Sequence, residues 1–170
     1  MVSRLENWEE HPIKIFLSST YLDLVAYRNA AAQAIERLGQ QGVRMEVFGA
    51  RPLEATTACF DEIAASDALV GIYAHRYGYI PLGQSTSITE QELEFVRLKQ
   101  KPTFCFIDDE EYPWPPKHVE AGDAHELLPK FKNRLQSEVV TDYFTTADDL
   151  ALKVSSSLGR YLLSMRLKKN

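Results

Sequence analysis

The sequence predicts an α/β protein: a parallel sheet with helices on both faces. Three observations carry that expectation. Short β-like apolar runs alternate with longer stretches of three- and four-residue apolar spacing, the pattern of βαβ units. The strand-like runs are apolar on both sides rather than alternating, as strands covered on both faces are. The length, 170 residues, suits one domain that buries about 70% of its unfolded surface and needs no disulfide or metal staple.

The elements follow in order along the chain. Ile13 to Leu17 is the first strand, entered after Pro12. Tyr21 to Leu38 is a helix, with Leu24, Tyr27, Ala31, Ala34, Ile35 and Leu38 on its apolar stripe, and Gly39 or Gly42 ends it. Val43 to Phe48 alternates and reads as the second strand. Thr56 to Ala65 is helical, with Ala58, Cys59, Ile63 and Ala64 on the buried side. Ala68 to Ala74 is an uninterrupted buried strand. A loop rich in Gly and Tyr spans His75 to Ser87, and Thr89 to Lys99 is the next helix. Pro102 to Ile107 is the fourth strand, followed by an irregular acidic stretch from Asp108 to Gly122. Ala124 to Gln136 is a helix with Pro129 near an end or a kink. Glu138 to Phe144 is the fifth strand, and Thr146 to about Leu163 the last helix, with Leu150, Val154, Leu158 and Leu162 in one row. Five strands joined in this way are expected in a flavodoxin-like three-layer sandwich with strand order 2-1-3-4-5. In such a sheet the ligand crevice lies at the carboxyl ends of the strands, where the order reverses. The loops after strands one, three and four therefore form the candidate site.

Composition excludes several classes. With 45% hydrophobic and 25% charged residues, the chain is neither disordered nor collagen-like. No apolar run approaches the roughly 20 residues of a membrane helix. The opening residues MVSRLENWEE hold no apolar core of a secretory signal, so a cytoplasmic protein is expected, without a membrane partner. The net charge of −5 argues against a nucleic-acid footprint. It is local: residues 108–126 carry −6, which leaves +1 elsewhere. Cys59 and Cys105 sit in apolar patterns and are expected as free buried thiols. No CxxC or HExxH cluster is present, so neither a metal nor a cofactor is expected.

Three constellations fall at the crevice. Ser18, Ser19 and Thr20 follow strand one; with the free N–H groups of a helix start they suit a phosphate, or Ser19 or Thr20 caps the helix. His75, Arg76, Tyr77 and Tyr79 follow strand three, and a His, an Arg and two Tyr suit a phosphate clamp and a ring-stacking surface; alternatively Arg76 pairs with an acid such as Glu90, and the tyrosines cover the sheet end. Third, Thr89 and Glu92 read as a Thr-x-x-Glu capping box, or Glu92 faces a ribose and stabilises or attacks an oxocarbenium-like centre. Glu90 and Glu94 share one side of that helix and Glu92 points away from them.

These segments resemble the DUF4062 family, a TIR-like group. The stretch Phe16-Leu-Ser-Ser-Thr-Tyr-x-Asp-Leu24 ending in Arg28, the stretch Gly71-Ile-Tyr-Ala-His-Arg-Tyr-Gly-Tyr-Ile-Pro81, and Ser87-x-Thr-Glu-x-Glu92 are similar to its three motifs in its order, and Lys101-Pro102 introduces the next strand as the family does. The resemblance covers about residues 12–110. It implies a flavodoxin-like, TIR-type fold that often leads signalling proteins ahead of a NACHT or other STAND-type NTPase module. On that reading residues 1–165 are a single domain and 166–170 begin a linker to a covalently attached module. Related TIR and nucleoside deoxyribosyltransferase families use one Glu on the corresponding helix to cleave an N-glycosidic bond. Thr89-x-x-Glu92 matches the transferase spacing, while the aromatic-Cys pair usual before the TIR glutamate is missing.

Three functions remain open from sequence. One is an N-glycosidase for NAD or a related nucleotide, NAD being substrate rather than cofactor. Its catalytic carboxylate would be Glu92 or Glu90, with Ser18, Ser19, Thr20, His75, Arg76 and Tyr77 binding substrate and with self-association required. Another is a non-catalytic module that assembles with itself or a partner in a defence or signalling protein, Glu92 then being a cap and the acidic segment around Trp114 a docking surface. A nucleotide sensor that binds without cleaving is a third.

Overall fold

The computed structural model describes residues 11–45, 55–115 and 124–169. Its elements are β1 (Lys14–Ser19), α1 (Val25–Arg37), β2 (Gln41–Val43), α2 (Ala55–Ala65), β3 (Ala68–Tyr73), α3 (Ile88–Leu98), β4 (Thr103–Asp108), α4 (Ala124–Glu138), β5 (Thr141–Phe144) and α5 (Ala147–Lys169). All strands are parallel and stand in the order β2-β1-β3-β4-β5, the flavodoxin-like arrangement expected.

Strand periodicity divides the core in two. Ile15 and Leu17 of β1, Val70 and Ile72 of β3 and Phe106 of β4 meet α1 and α5 on one face. Phe16, Leu69, Tyr73, Cys105 and Ile107 meet α2, α3 and α4 on the other. Every residue of β3 is buried, as a central strand covered on both sides must be. The register sets Ser18 against Gly71 and Gly71 against Cys105. The Tyr73 ring folds back along its own strand over Gly71, where a Cβ would stand 2.2 Å from the phenol oxygen. Only glycine admits that ring.

Several boundaries differ from expectation. β1 runs on through Ser18 and Ser19, and α1 starts only at Val25 with Leu24 as N-cap and no side-chain cap. Thr20 instead donates to Asp23 at 2.6 Å, so neither Ser19 nor Thr20 caps the helix and its N–H groups do not start beside them. β2 is the three residues Gln41–Val43; positions 46–48 of the expected strand lie outside the described residues. α4 persists to Glu138, and the Val139 N–H still reaches the Leu135 carbonyl at 3.0 Å, so β5 starts three residues late. The β-branched pair Val139-Val140 reads as strand locally but sits at a helix end. α5 continues to Lys169 rather than stopping near Leu163. No helix among the described residues is long and apolar enough to cross a membrane.

Candidate functional site

β1 points Ser18 to the same side as Phe16, toward α2 and α3. On that side α3 begins at Ser87, whose extended backbone and buried hydroxyl cap it by accepting the Glu90 N–H at 3.2 Å. That start fixes the helix phase: Thr89, Glu92, Leu93 and Val96 turn inward. Glu92 is 5% exposed, a placement a carboxyl tolerates only when its oxygens are satisfied. They are. The Ser18 hydroxyl donates to one oxygen at 2.6 Å and the Cys59 thiol of α2 donates to the other at 2.8 Å. Burial raises the Glu92 pKa, while the donors Cys59 and Ser18 and the charge of Arg28 oppose that rise.

A cavity of about 770 Å³ opens above this carboxyl, within the size range of small-molecule sites. Glu92 and Cys59 lie in its wall together with Ser19, Thr20, Arg28 and Arg76. Tyr21, Leu22, Met45, Tyr79 and Ile88 supply apolar surface, and Leu22 and Tyr79 stand largely in solvent at its mouth. The Arg28 guanidinium is buried and donates to the Ser19 hydroxyl at 2.6 Å and to the Ser19 carbonyl at 3.2 Å. The site therefore joins one buried carboxyl, two guanidinium groups and the hydroxyls of Ser19, Thr20, Thr56 and Thr89 at the carboxyl end of β1 and β3.

The expected residues divide into three groups. Ser19, Thr20, Arg76 and Glu92 line the cavity, and Ser18 reaches it through Glu92. Thr89 lines it too and is not the N-cap: the cap lies two residues earlier at Ser87, so no Thr89–Glu92 box forms. Glu90, Tyr77 and His75 lie elsewhere. Glu90, almost opposite Glu92 around the helix, accepts from Arg134 of α4 and from the Tyr77 hydroxyl. Tyr77 is 3% exposed and packs on Phe131, so it offers no stacking face; burial, followed by the Glu90 contact, raises its pKa to about 12. His75 faces Asp108 at 3.6 Å and packs edge-on with Trp114, ring centroids 4.6 Å apart, in a group that also holds Lys132 bound to Asp108. Trp114 itself packs against Tyr27 and Phe144 and donates to the Asp109 carbonyl at 2.7 Å. Its ring is half-buried against the core between α1 and α5.

Sequence reasoning missed Arg28 and Cys59 as site residues, and of the two tyrosines expected at the crevice it is Tyr79 that lines the cavity. A signal for Arg28 was present: it sits in the row Leu24, Arg28, Ala31, Ile35, a cation within an otherwise apolar stripe. Cys59 carried none, since a thiol on a buried helix face reads as packing.

A doubly wound parallel sheet with a carboxyl-walled cavity at its switch point is the class this chain represents. Residues 14–159 match the family described as a domain of unknown function, DUF4062, and the chain belongs to that family. No curated protein matches it. Among solved structures, the CMP N-glycosidase of Clostridium botulinum is similar in fold, at 12% identity and a TM-score of 0.51, covering 85% of this chain and 98% of that one. A 2-desoxiribosyltransferase from Leishmania mexicana matches at 18% identity, TM-score 0.49, over 84% of this chain and 97% of that one. Megasphaera elsdenii flavodoxin matches at 15%, TM-score 0.42, over 84% and 98%.

Proposed function

We propose that this chain cleaves the N-glycosidic bond of a nucleotide, NAD or a relative of it, with Glu92 as the catalytic carboxylate. One observation carries the reading: Glu92 is buried in the wall of a nucleotide-sized cavity and is held by two donors, neither of which belongs to its own helix. A capping glutamate would turn to the backbone of its own helix start. In the proposed step the C1′–N bond breaks, its electron pair leaves with the base, and the Glu92 carboxylate stabilises or attacks C1′. Water then adds at C1′ and the carboxylate is released; the proton that water loses is freed when the base departs from a cationic nicotinamide and is taken up by the departing nitrogen when the base is neutral, as in CMP. Arg28, Arg76 and Ser19 supply the cationic and hydroxyl lining that suits phosphate, and Tyr79 replaces Tyr77 as the ring available for stacking. The likeness to a CMP N-glycosidase supports the same bond type, so CMP belongs in the assay beside NAD.

The test is base release by the purified protein at high concentration, which also favours any self-association the reaction requires. Glu92→Gln is expected to lower release by 100-fold or more, the scale of losing one decisive transition-state group. Glu90→Gln, away from the cavity, is expected to keep activity within a few-fold. Release that survives Glu92→Gln sinks the assignment. Intact ligand that binds without being cleaved would favour a sensor. The open collar of Tyr21, Leu22 and Tyr79, each more than half exposed, favours assembly with a partner as the alternative reading; a concentration-dependent oligomer lost on Leu22→Asp, with no base release from any nucleotide, would select it.

A further inference from the structure

We infer that Cys59 is a positioning residue: its thiol holds the Glu92 carboxylate in the orientation and the ionised form that glycosidic cleavage needs. The inference rests on the proposed reaction and adds to it a residue with no expected role. Four elements face Glu92. β1 brings the Ser18 hydroxyl to one oxygen at 2.6 Å, and α2 brings the Cys59 thiol to the other at 2.8 Å. The charge of Arg28 on α1 acts on the same carboxyl. β3 places the Tyr73 phenol nearby, where burial, then the neighbours Cys105 and Glu92, hold it neutral.

Each carboxylate oxygen offers two lone-pair directions. One donor apiece therefore fixes the plane of the group and leaves each oxygen one direction for a reacting centre. Burial drives Glu92 toward the neutral acid, a form that neither attacks nor stabilises a cation. A donor that bonds the charged form pulls it back. Cys59 suits that task because it does not compete for it. Burial and the adjacent carboxylate push its thiol far above the ordinary range, so the sulfur keeps its proton and acts as donor rather than nucleophile. The seat is firm: α2 packs on α3 through Phe60 and Phe95, whose rings stand edge-on at 5.4 Å.

The experiment compares the whole protein with Cys59→Ala, Cys59→Val and Cys59→Ser. Valine fills the thiol's volume without a donor; serine restores a donor. Two readouts are taken: the pH profile of kcat for base release, and the Glu92 carboxyl titration by 13C NMR in glutamate-labelled protein. In the Ala and Val variants both midpoints are expected to move up by about one pH unit. That is about a tenfold loss of rate below the limb and little loss above it. Cys59→Ser is expected to lie near the parent. A Glu92 midpoint unmoved in Val and Ala, or a loss equal at every pH, overturns the inference. The NMR titration needs no turnover. If the midpoint moves as expected while no nucleotide is cleaved, the positioning contact stands and the proposed reaction fails; if Glu92-dependent cleavage is present and the midpoint stays, the inference alone fails.

Discussion

Glu92 occupies a place that opposes folding. A carboxyl whose folded pKa lies above its unfolded value, 4.5 for the ordinary side chain, favours folding most below that value. The contribution is lost as pH rises through the folded value, and above it the buried charge is a net burden. Glu92→Gln is therefore expected to leave stability near parental below pH 4.5 and to raise it as pH rises from there through the folded value, with no further gain above it. Thermal melts across pH would show Tm climbing by about 2–4 °C for each kcal/mol recovered. A Tm that falls at neutral pH would mean that the charged form, not the acid, suits this cavity better. Under the proposed reaction such a gain would accompany loss of activity, the usual exchange at a catalytic site. At this scale the sequence was only partly legible. Helical spacing separated Glu92 from Glu90 and Glu94, but whether Glu92 capped its own helix depended on where α3 begins. Ser87 and Thr89 are both good caps by type; the folded chain uses Ser87, whose buried hydroxyl accepts the Glu90 N–H.

At the scale of elements, α3 delivers the carboxyl and two contacts hold α3 in phase. The Ser87 cap satisfies its first turn. Arg134 of α4, bonded to Glu90 and Glu94, ties its outer side to the neighbouring helix. Ser87→Ala is expected to cost about 1 kcal/mol, read by urea denaturation, and to lower activity by more than that loss of folded protein explains, since the first turn sets the inward angle of Glu92. An activity loss no larger than the unfolded fraction would show that packing alone sets the phase. α2 has a different stop. The Lys101 ammonium donates to the carbonyls of Ile63, at 3.1 Å, and Ala64, at 2.6 Å, a cation at a helix carboxyl end where the dipole favours it. That explains physically why a lysine stands just before β4 here. Helix ends were the weakest part of the sequence reading. Val139-Val140 and Tyr21–Leu24 have local preferences that packing overrides, which periodicity does not see.

Over the whole molecule the two faces of the sheet have separate tasks. The α1–α5 face is a closed apolar core; the α2–α3–α4 face carries Cys59 and Glu92. Leu158 of α5 is fully buried on the first face. Leu158→Ala is expected to destabilise the domain by about 2–5 kcal/mol while KM and kcat of the remaining folded protein stay parental, measured below the shifted midpoint. A changed KM would reveal coupling through the sheet. The architecture itself was readable because it follows from alternation: strand–helix repeats, uninterrupted apolar strands and short connections leave few topologies. The order 2-1-3-4-5 and the placing of the crevice needed no more than that. The identity of the groups in the crevice did. Ser18, Cys59 and Glu92 are 33 to 74 positions apart in pairs that touch, and no local pattern encodes a contact across such separations. Chemistry-bearing residues in known positions, Ser18 to Thr20, Arg76 and Glu92, were therefore visible as candidates, whereas which of them meet, and that Tyr77 and His75 turn into the core, was decided by tertiary packing alone. By itself the sequence determined the fold, because hydrophobic periodicity is a local property; only the folded structure assembled the site, because the partners of a buried carboxyl are chosen by which helices cover which face of the sheet.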